Sequence, residues 1–245
     1  MSLKLAKPWM IAHRGASGYA PENTMAAFKR AVEMGCSFIE TDIQLSRDSR
    51  LIAIHDPTVD RTTNATGSVR EYTLSQLREL DAGSWFSPEF AGERIPTLEE
   101  IVTFARQNDV VFYLEVKSND IWGVEHALVA ALRQAKEVAR AAILSFELSA
   151  LATVRRQEPT LISGYLFDRA KESAIADASR VGARQIAPHH KLLTKELVAA
   201  AHASHLQVIT WTVNDPAEMR VALSTGINGI MTDYPDRLAV VLEEF

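Results

Sequence analysis

The sequence predicts an α/β fold, a (β/α)8 barrel with a small insertion after its second strand. The length of 245 residues is common for one barrel of this kind. Short apolar runs rich in Val, Ile and Phe recur roughly every 20 to 35 residues, which is typical of strands. Amphipathic segments separate most of these runs, and regular alternation of strands with helices indicates a parallel barrel. We therefore treat residues 1–245 as a single domain.

Eight apolar runs are candidate barrel strands. Each is short, is rich in aliphatic residues and is bounded by polar or turn-forming residues. They comprise residues 9–13, 38–42, 110–117, 142–146, 162–167, 185–188, 208–213 and 229–233.

The segments after these strands have helical periodicity or helix-start signals. Thr97 and Glu100 have the spacing of a capping box, and Asn23 or Thr24 is placed to cap the first helix. We expect helices at residues 24–34, 97–107, 124–135, 147–157, 172–181, 195–204, 216–224 and 235–245.

A ninth extended run, residues 51–55, has no helix before it. The short polar connection at residues 46–50 predicts a hairpin, which would bring His55 beside Asp42. Residues from about 57 to 96 then form an irregular insertion. Because loops of this length are uncommon unless they are functional, we expect the insertion to cover or border a site.

Composition excludes several classes of protein. The net charge is −5 and no basic run offsets it, so we expect no nucleic-acid partner. The single cysteine excludes an intramolecular disulfide and a thiolate metal cluster. No apolar stretch approaches the ~20 residues of a membrane span, and residues 1–10 lack a signal-peptide pattern. We expect a cytoplasmic protein without stable membrane association, and no pattern predicts its oligomeric state.

Charged residues fall at the ends of the second and third barrel strands. Glu40 and Asp42 share one face of the second strand, and Glu115 and Lys117 share one face of the third. In a barrel, the carboxyl ends of the strands meet at one mouth. Three carboxylates there form an oxygen-rich pocket suited to a hard divalent cation such as Mg²⁺ or Ca²⁺.

The first strand and the hairpin add cationic and titratable groups at the same mouth. With a divalent ion, Arg14 and Lys117 leave the site weakly positive, which suits a monoanion such as a phosphodiester. Arg14 can bind phosphoryl oxygens in a fork, and Lys117 supplies a point charge. His13 and His55 are histidines, whose ordinary pKa lies near neutral, and this favours an acid–base pair.

These motifs resemble those of the glycerophosphodiester phosphodiesterase family, in particular its compact bacterial, cytoplasmic members. The resemblance runs in order from about residue 10 to about residue 238. It rests on HRG at His13, PENT at Pro21, ETD at Glu40, HD at His55, DRTTNATG at Asp60, GSWFSPEFAGERIPTLEE at Gly83, LEVK at Leu114, TWTVN at Thr210 and GIMTDYP at Gly229.

The resemblance implies metal-dependent hydrolysis of glycerophosphodiesters, such as glycerophosphocholine and glycerophosphoethanolamine, to sn-glycerol 3-phosphate and an alcohol. We expect one divalent cation, Mg²⁺, with Ca²⁺ or Mn²⁺ as alternatives. We also expect apolar walls around the glycerol, with Trp211 and Phe86 among the contacts. The resemblance implies His13 and His55 as acid and base, Arg14 and Lys117 on the phosphate, and Glu40, Asp42 and Glu115 on the metal.

Two alternatives remain at this point. One is a phosphodiesterase of lysophospholipase D or phospholipase C type, which would need an apolar entrance to its active site or a membrane-facing helix. The sequence has no strongly basic amphipathic segment of that kind. The other is a non-catalytic barrel that binds phosphodiesters, and the presence of both histidines and all three carboxylates disfavours it.

Overall fold

A computed structural model describes residues 7–117 and 123–245 of the chain. Most of the segment behind the prediction of no signal peptide lies outside these residues. The described part contains one nine-stranded sheet. Its strands are β1 (Trp9–Ala12), β2 (Phe38–Leu45), β3 (Leu51–Ala53), β4 (Val111–Val116), β5 (Ala141–Ser145), β6 (Ile162–Phe167), β7 (Gln185–Pro188), β8 (Gln207–Thr210) and β9 (Gly229–Thr232).

Eight of these strands close into a parallel barrel. The order is β1-β9-β8-β7-β6-β5-β4-β2, and β1 also pairs with β2, which completes the ring. The ninth strand, β3, pairs with β2 and runs antiparallel to it, with Ile43 opposite Ala53. Both the barrel and the hairpin predicted from the sequence are confirmed. The predicted strand 208–213 is too long, because β8 ends at Thr210 and Trp211 makes only an isolated bridge to His189.

Helices follow the barrel strands, at the positions that the sequence predicts. The side chain of Thr24 caps the first helix, and Thr97 and Glu100 form the predicted capping box. The helices are α1 (Met25–Glu33), α2 (Leu74–Leu77), α3 (Leu98–Asn108), α4 (Val124–Ala135), α5 (Leu148–Gln157), α6 (Ala174–Arg180), α7 (Lys195–Ala203), α8 (Pro216–Leu223) and α9 (Pro235–Leu242). Of these, α2 lies in the insertion and was not predicted.

The core has two layers, because residues on each barrel strand alternate between the helices and the barrel interior. On β5, Ile143 packs in the outer layer, whereas Ala142 and Leu144 point inward. Gly164 on β6 lies against this inner layer, since a Cβ there would come within 2.7 Å of Leu144 Cδ2. The inner layer consists of Ile11, Tyr113, Ala142, Leu144, Leu166, Ala187, Ile209 and Met231. It fills the barrel interior below the mouth.

The insertion, residues 57–96, has a small core of its own. This core includes Ile52 and Ile54 from the hairpin, so the insertion packs directly on the segment that carries His55. Arg78 further joins the insertion to α3 through a bidentate ion pair with Glu100. The other buried members of this core are Val59, Val69, Leu77, Ala82 and Ile95.

Among the described residues, no helix combines the length with the apolar character that crossing a bilayer requires. The longest helix, α4, has 12 residues. A membrane-spanning helix needs about 20.

Replacing Phe112 by Ala should lower the free energy of unfolding by about 3–5 kcal/mol, as for other buried aromatic residues. Phe112 is 2% exposed and packs edge to face on Phe28, with ring centroids 5.2 Å apart. Val221→Ala is the control, because Val221 is 67% exposed and should change stability by less than about 0.5 kcal/mol. Urea unfolding followed by circular dichroism measures both. Equal effects of the two substitutions would contradict the assigned core.

Candidate active site

The three predicted carboxylates meet at the mouth of the barrel. Asp42 on β2 and Glu115 on β4 are register partners, and Glu40 lies two residues before Asp42 on the same face of β2. One oxygen from each of the three lies within 4.8 Å of the other two, and all three side chains are buried. Because hard divalent cations prefer several carboxylate oxygens, this triad can hold such an ion.

The charges of the triad are incompletely compensated, and a bound cation would compensate them. Glu40 Oε1 is buried and has no hydrogen-bond partner among the described residues. Burial, together with the charges of Asp42 and Glu115, raises the pKa of Glu40 well above its ordinary value. A buried, unpartnered oxygen beside two further carboxylates fits a metal ligand and is costly otherwise.

Two cations lie against the triad. The Lys117 ammonium is 2.9 Å from Asp42 Oδ1 and 2.5 Å from Glu115 Oε1. Arg14 Nε lies 3.3 Å from Asp42 Oδ2. Burial alone would raise the pKa of Asp42, but the charges of Lys117 and Arg14 hold it well below its usual range. Asp42 is therefore ionised, whereas Glu40 loses its proton less readily.

The turn after β1 uses its backbone as well as its side chains. Arg14 and Gly15 have φ values of 55° and 81°, in the left-handed region. This conformation directs the Arg14 backbone N–H to Glu40 Oε2, at 2.9 Å. A Cβ on Gly15 would lie 2.7 Å from the backbone of Ala27, so the glycine allows the turn to pack on α1.

His13 is held by carboxylate and hydroxyl groups from the end of β9 and its own turn. A hydrogen bond of 2.7 Å joins His13 Nδ1 to Asp233 Oδ1. Ser17 and Asn214 donate to the same carboxylate. Nε2 of His13 lies 4.0 Å from Glu40 Oε2. Burial by itself lowers the pKa of His13, but the hydrogen bond to Asp233 and the charge of Glu40 raise it above its ordinary value.

His55 reaches the mouth through the hairpin, as the sequence predicts. The N–H of Ile54 donates to the backbone oxygen of Asp42 at 3.0 Å, which places the following residue beside the triad. His55 Nδ1 is hydrogen-bonded to Asp56 Oδ1 at 2.6 Å. Burial and the nearby charges of Lys117 and Arg14 lower the pKa of His55, although Asp42 opposes them. Both histidines thus have Nδ1 on an aspartate, which leaves Nε2 for a reactant.

The structure shows a role for Asn23 that the sequence did not predict. Asn23 is buried at φ 55° and does not cap α1, because Thr24 does. Its amide donates to Asp42 Oδ2 at 2.8 Å and accepts from the Thr41 hydroxyl at 2.6 Å. Asparagine tolerates positive φ, so the residue type could have indicated a turn at this position. It could not have revealed the contact with Asp42.

The two aromatic candidates lie in different surroundings. The indole of Trp211 donates to the backbone oxygen of Ala187 at 2.8 Å, and its ring meets Phe146 and His189 edge to face. Trp211 therefore borders the mouth above the inner core. Phe86 packs edge to face on Trp85 within the insertion. Both stay predicted substrate contacts.

Comparison with known proteins agrees with this geometry. The sequence profile of the glycerophosphoryl diester phosphodiesterase family matches residues 13–237. The chain belongs to this family. As a glycerophosphoryl diester phosphodiesterase family member it is a hydrolase of phosphoric diesters, and the resemblance noted in the sequence is confirmed.

Two bacterial relatives match this chain over most of their own length. A glycerophosphodiester phosphodiesterase of Caldanaerobacter subterraneus subsp. tengcongensis is 39% identical, over 95% of this chain and 96% of the relative. One from Bacillus subtilis is 35% identical, over 92% and 83%. Among solved structures, an Oleispira antarctica phosphodiesterase in complex with the product sn-glycerol-3-phosphate has a TM-score of 0.89 at 28% identity, over 96% and 97%.

Replacing Glu40 by Gln should abolish metal-dependent stabilisation without unfolding the protein. A ligand that binds only the folded state raises Tm, so Mg²⁺ or Mn²⁺ should raise the Tm of the wild type. Without metal, the variant should be about as stable as the wild type at pH 7, because the raised pKa of Glu40 leaves this carboxyl largely uncharged there, as the amide is. Thermal shift measurements with and without metal test this.

The control is Glu99→Gln, which changes an exposed carboxylate paired with Arg50 outside the triad. This variant should keep the full metal-dependent rise in Tm. A Glu40→Gln protein that keeps the full rise would contradict a metal site at the triad.

Proposed function

We propose that the protein hydrolyses sn-glycero-3-phosphodiesters, such as glycerophosphocholine and glycerophosphoethanolamine, to sn-glycerol 3-phosphate and an alcohol. The main support is one arrangement: two histidines, each hydrogen-bonded to an aspartate, beside a buried carboxylate triad. The product bound in the Oleispira antarctica relative also supports the choice of glycerol 3-phosphate.

The phosphate would lie beside Arg14 and Lys117. Arg14 offers a forked donor and Lys117 a point charge, and both are largely buried, so their interaction with an anion is poorly screened. A divalent ion on Glu40, Asp42 and Glu115 would supply Lewis-acid polarisation of a phosphoryl oxygen. We propose Mg²⁺, with Mn²⁺ or Ca²⁺ as alternatives that accept the same oxygen ligands.

His13 and His55 would transfer the protons. One histidine removes the proton from the attacking hydroxyl group or water, and the other protonates the departing alkoxide. Asp233 and Asp56 hold the two rings by Nδ1, which orients Nε2 toward the reactant side. Because both rings are already oriented, less orientational entropy is lost on reaching the transition state, and the activation barrier is lower.

We propose Trp211 and Phe86 as apolar contacts of the glycerol, with Trp211 supported by its place above the inner core. The net charge of −5 supports a small-molecule substrate rather than a nucleic acid. A cytoplasmic location and a single domain over residues 1–245 remain part of the proposal.

Release of glycerol 3-phosphate from glycerophosphocholine tests the proposed function. Activity should disappear with EDTA and return with added Mg²⁺, Mn²⁺ or Ca²⁺, because the triad would regain its ion. No release by the folded, metal-loaded protein would contradict the proposal. Release of choline and lysophosphatidic acid from lysophosphatidylcholine, without turnover of glycerophosphocholine, would favour the lysophospholipase D alternative.

Replacing His13 or His55 by Ala should lower kcat at least about 100-fold, a typical contribution of general acid–base catalysis. The two losses should not add in the double variant, because both groups serve one proton-transfer sequence. His202→Ala is the control, since His202 lies on α7 and its ring is hydrogen-bonded to Asn228. Steady-state kinetics with glycerophosphocholine measures all four variants. A near-normal kcat for either single variant would remove that histidine from the mechanism.

A further inference from the structure

Arg61, in the insertion, contacts the partners of two proposed catalytic-site residues at once. We propose that Arg61 is a positioning residue, which fixes His55 and Arg14 relative to each other through Asp56 and Glu22. This inference rests on the proposed function and extends it to the insertion. The Arg61 guanidinium group donates four hydrogen bonds to these two carboxylates.

On one side, Arg61 forms a bidentate pair with Asp56. Its Nε lies 2.7 Å from Asp56 Oδ2 and its Nη2 lies 3.0 Å from Oδ1. The same Oδ1 holds His55 Nδ1 at 2.6 Å. The orientation of the His55 ring therefore depends on a carboxylate that Arg61 holds in place.

On the other side, Arg61 forms a bidentate pair with Glu22. Its Nη1 and Nη2 lie 2.7 and 2.8 Å from the two oxygens of Glu22. Glu22 Oε1 also accepts a hydrogen bond of 2.8 Å from Arg14 Nη1. Arg14 is thus held between Glu22 at the rim and Asp42 in the triad.

The donor count separates positioning from substrate binding. A guanidinium has five N–H donors, and Arg61 uses four of them on these two carboxylates. One remaining donor cannot form the fork that binds a phosphoryl group. Arg61 therefore acts through Asp56 and Glu22, while Arg14 and Lys117 contact the phosphate.

The backbone around Arg61 is itself held in the insertion. The Thr63 hydroxyl donates to the backbone oxygen of Val59 at 2.7 Å, and Val59 is fully buried in the insertion core. Because two bidentate pairs share one anchored side chain, less conformational entropy is lost per bond than in isolated surface pairs. The insertion therefore does more than border the mouth, since its Arg61 holds the carboxylates of Asp56 and Glu22, which lie outside the insertion.

The test uses Arg61→Gln and Arg61→Lys in the full-length, metal-loaded enzyme. We expect kcat to fall by about 10- to 100-fold in Arg61→Gln, by analogy with outer partners of catalytic groups. We also expect KM for glycerophosphocholine to rise, because Arg14 loses an ordered partner. Arg61→Lys should restore only part of kcat, since one ammonium cannot form two bidentate pairs.

Arg78→Gln is the matched control. Arg78 also belongs to the insertion and makes a bidentate pair, with Glu100, but touches neither histidine nor their aspartates in the described structure. It should lower Tm and leave kcat and KM unchanged. An equal loss of kcat in both variants would show that the insertion only needs to be anchored, which would overturn the proposal.

A second measurement does not depend on turnover. The ¹⁵N signals of the imidazole rings should shift for His55 in Arg61→Gln and stay in place for His13, which Asp233 holds. Unchanged His55 signals, or wild-type kcat and KM, would overturn the positioning role. A wild type without turnover would instead contradict the proposed function, and the His55 signals would still decide the role of Arg61.

Discussion

Three buried carboxylates, from Glu40, Asp42 and Glu115, lie within 4.8 Å of one another, and their mutual repulsion governs the rest of the mouth. Like charges at this distance are tolerated only with compensating cations, hydrogen bonds or a bound metal. Arg14 and Lys117 compensate part of the charge, chiefly on Asp42. Glu40 stays undercompensated, and the three carboxylates could therefore hold a metal ion.

The barrel is what makes such a concentration of charge possible. The register of β2 against β4 places Asp42 opposite Glu115, so the sheet holds the backbones of these two residues side by side. The apolar inner layer beneath them excludes water from below and directs polar groups to the mouth. The antiparallel β3 adds His55 at the same level, which a simple strand–helix–strand unit would not do.

The two histidines follow strands that run in opposite directions, but the Nδ1 atom of each is hydrogen-bonded to an aspartate. Asp233 follows β9 and holds His13, whereas Asp56 follows the hairpin and holds His55. Their pKa values shift in opposite directions. Burial lowers the pKa of both, but Asp233 and Glu40 outweigh it at His13, whereas the charges of Lys117 and Arg14 add to it at His55. The insertion adds the contacts of Arg61, so it contributes to order at the mouth as well as to its rim.

Sequence alone determined the features that depend on local spacing. The alternation of strands and helices, the capping box at Thr97 and the hairpin were predicted, since each follows from contacts a few residues apart. The shared face of Glu40 and Asp42 followed from the two-residue period of a strand. Only the tertiary structure decided the pairing of His13 with Asp233, 220 residues away, and of Arg61 with Glu22, 39 residues away. Spacing carries no information about such partners, because chain closure and packing, rather than local conformation, bring them together.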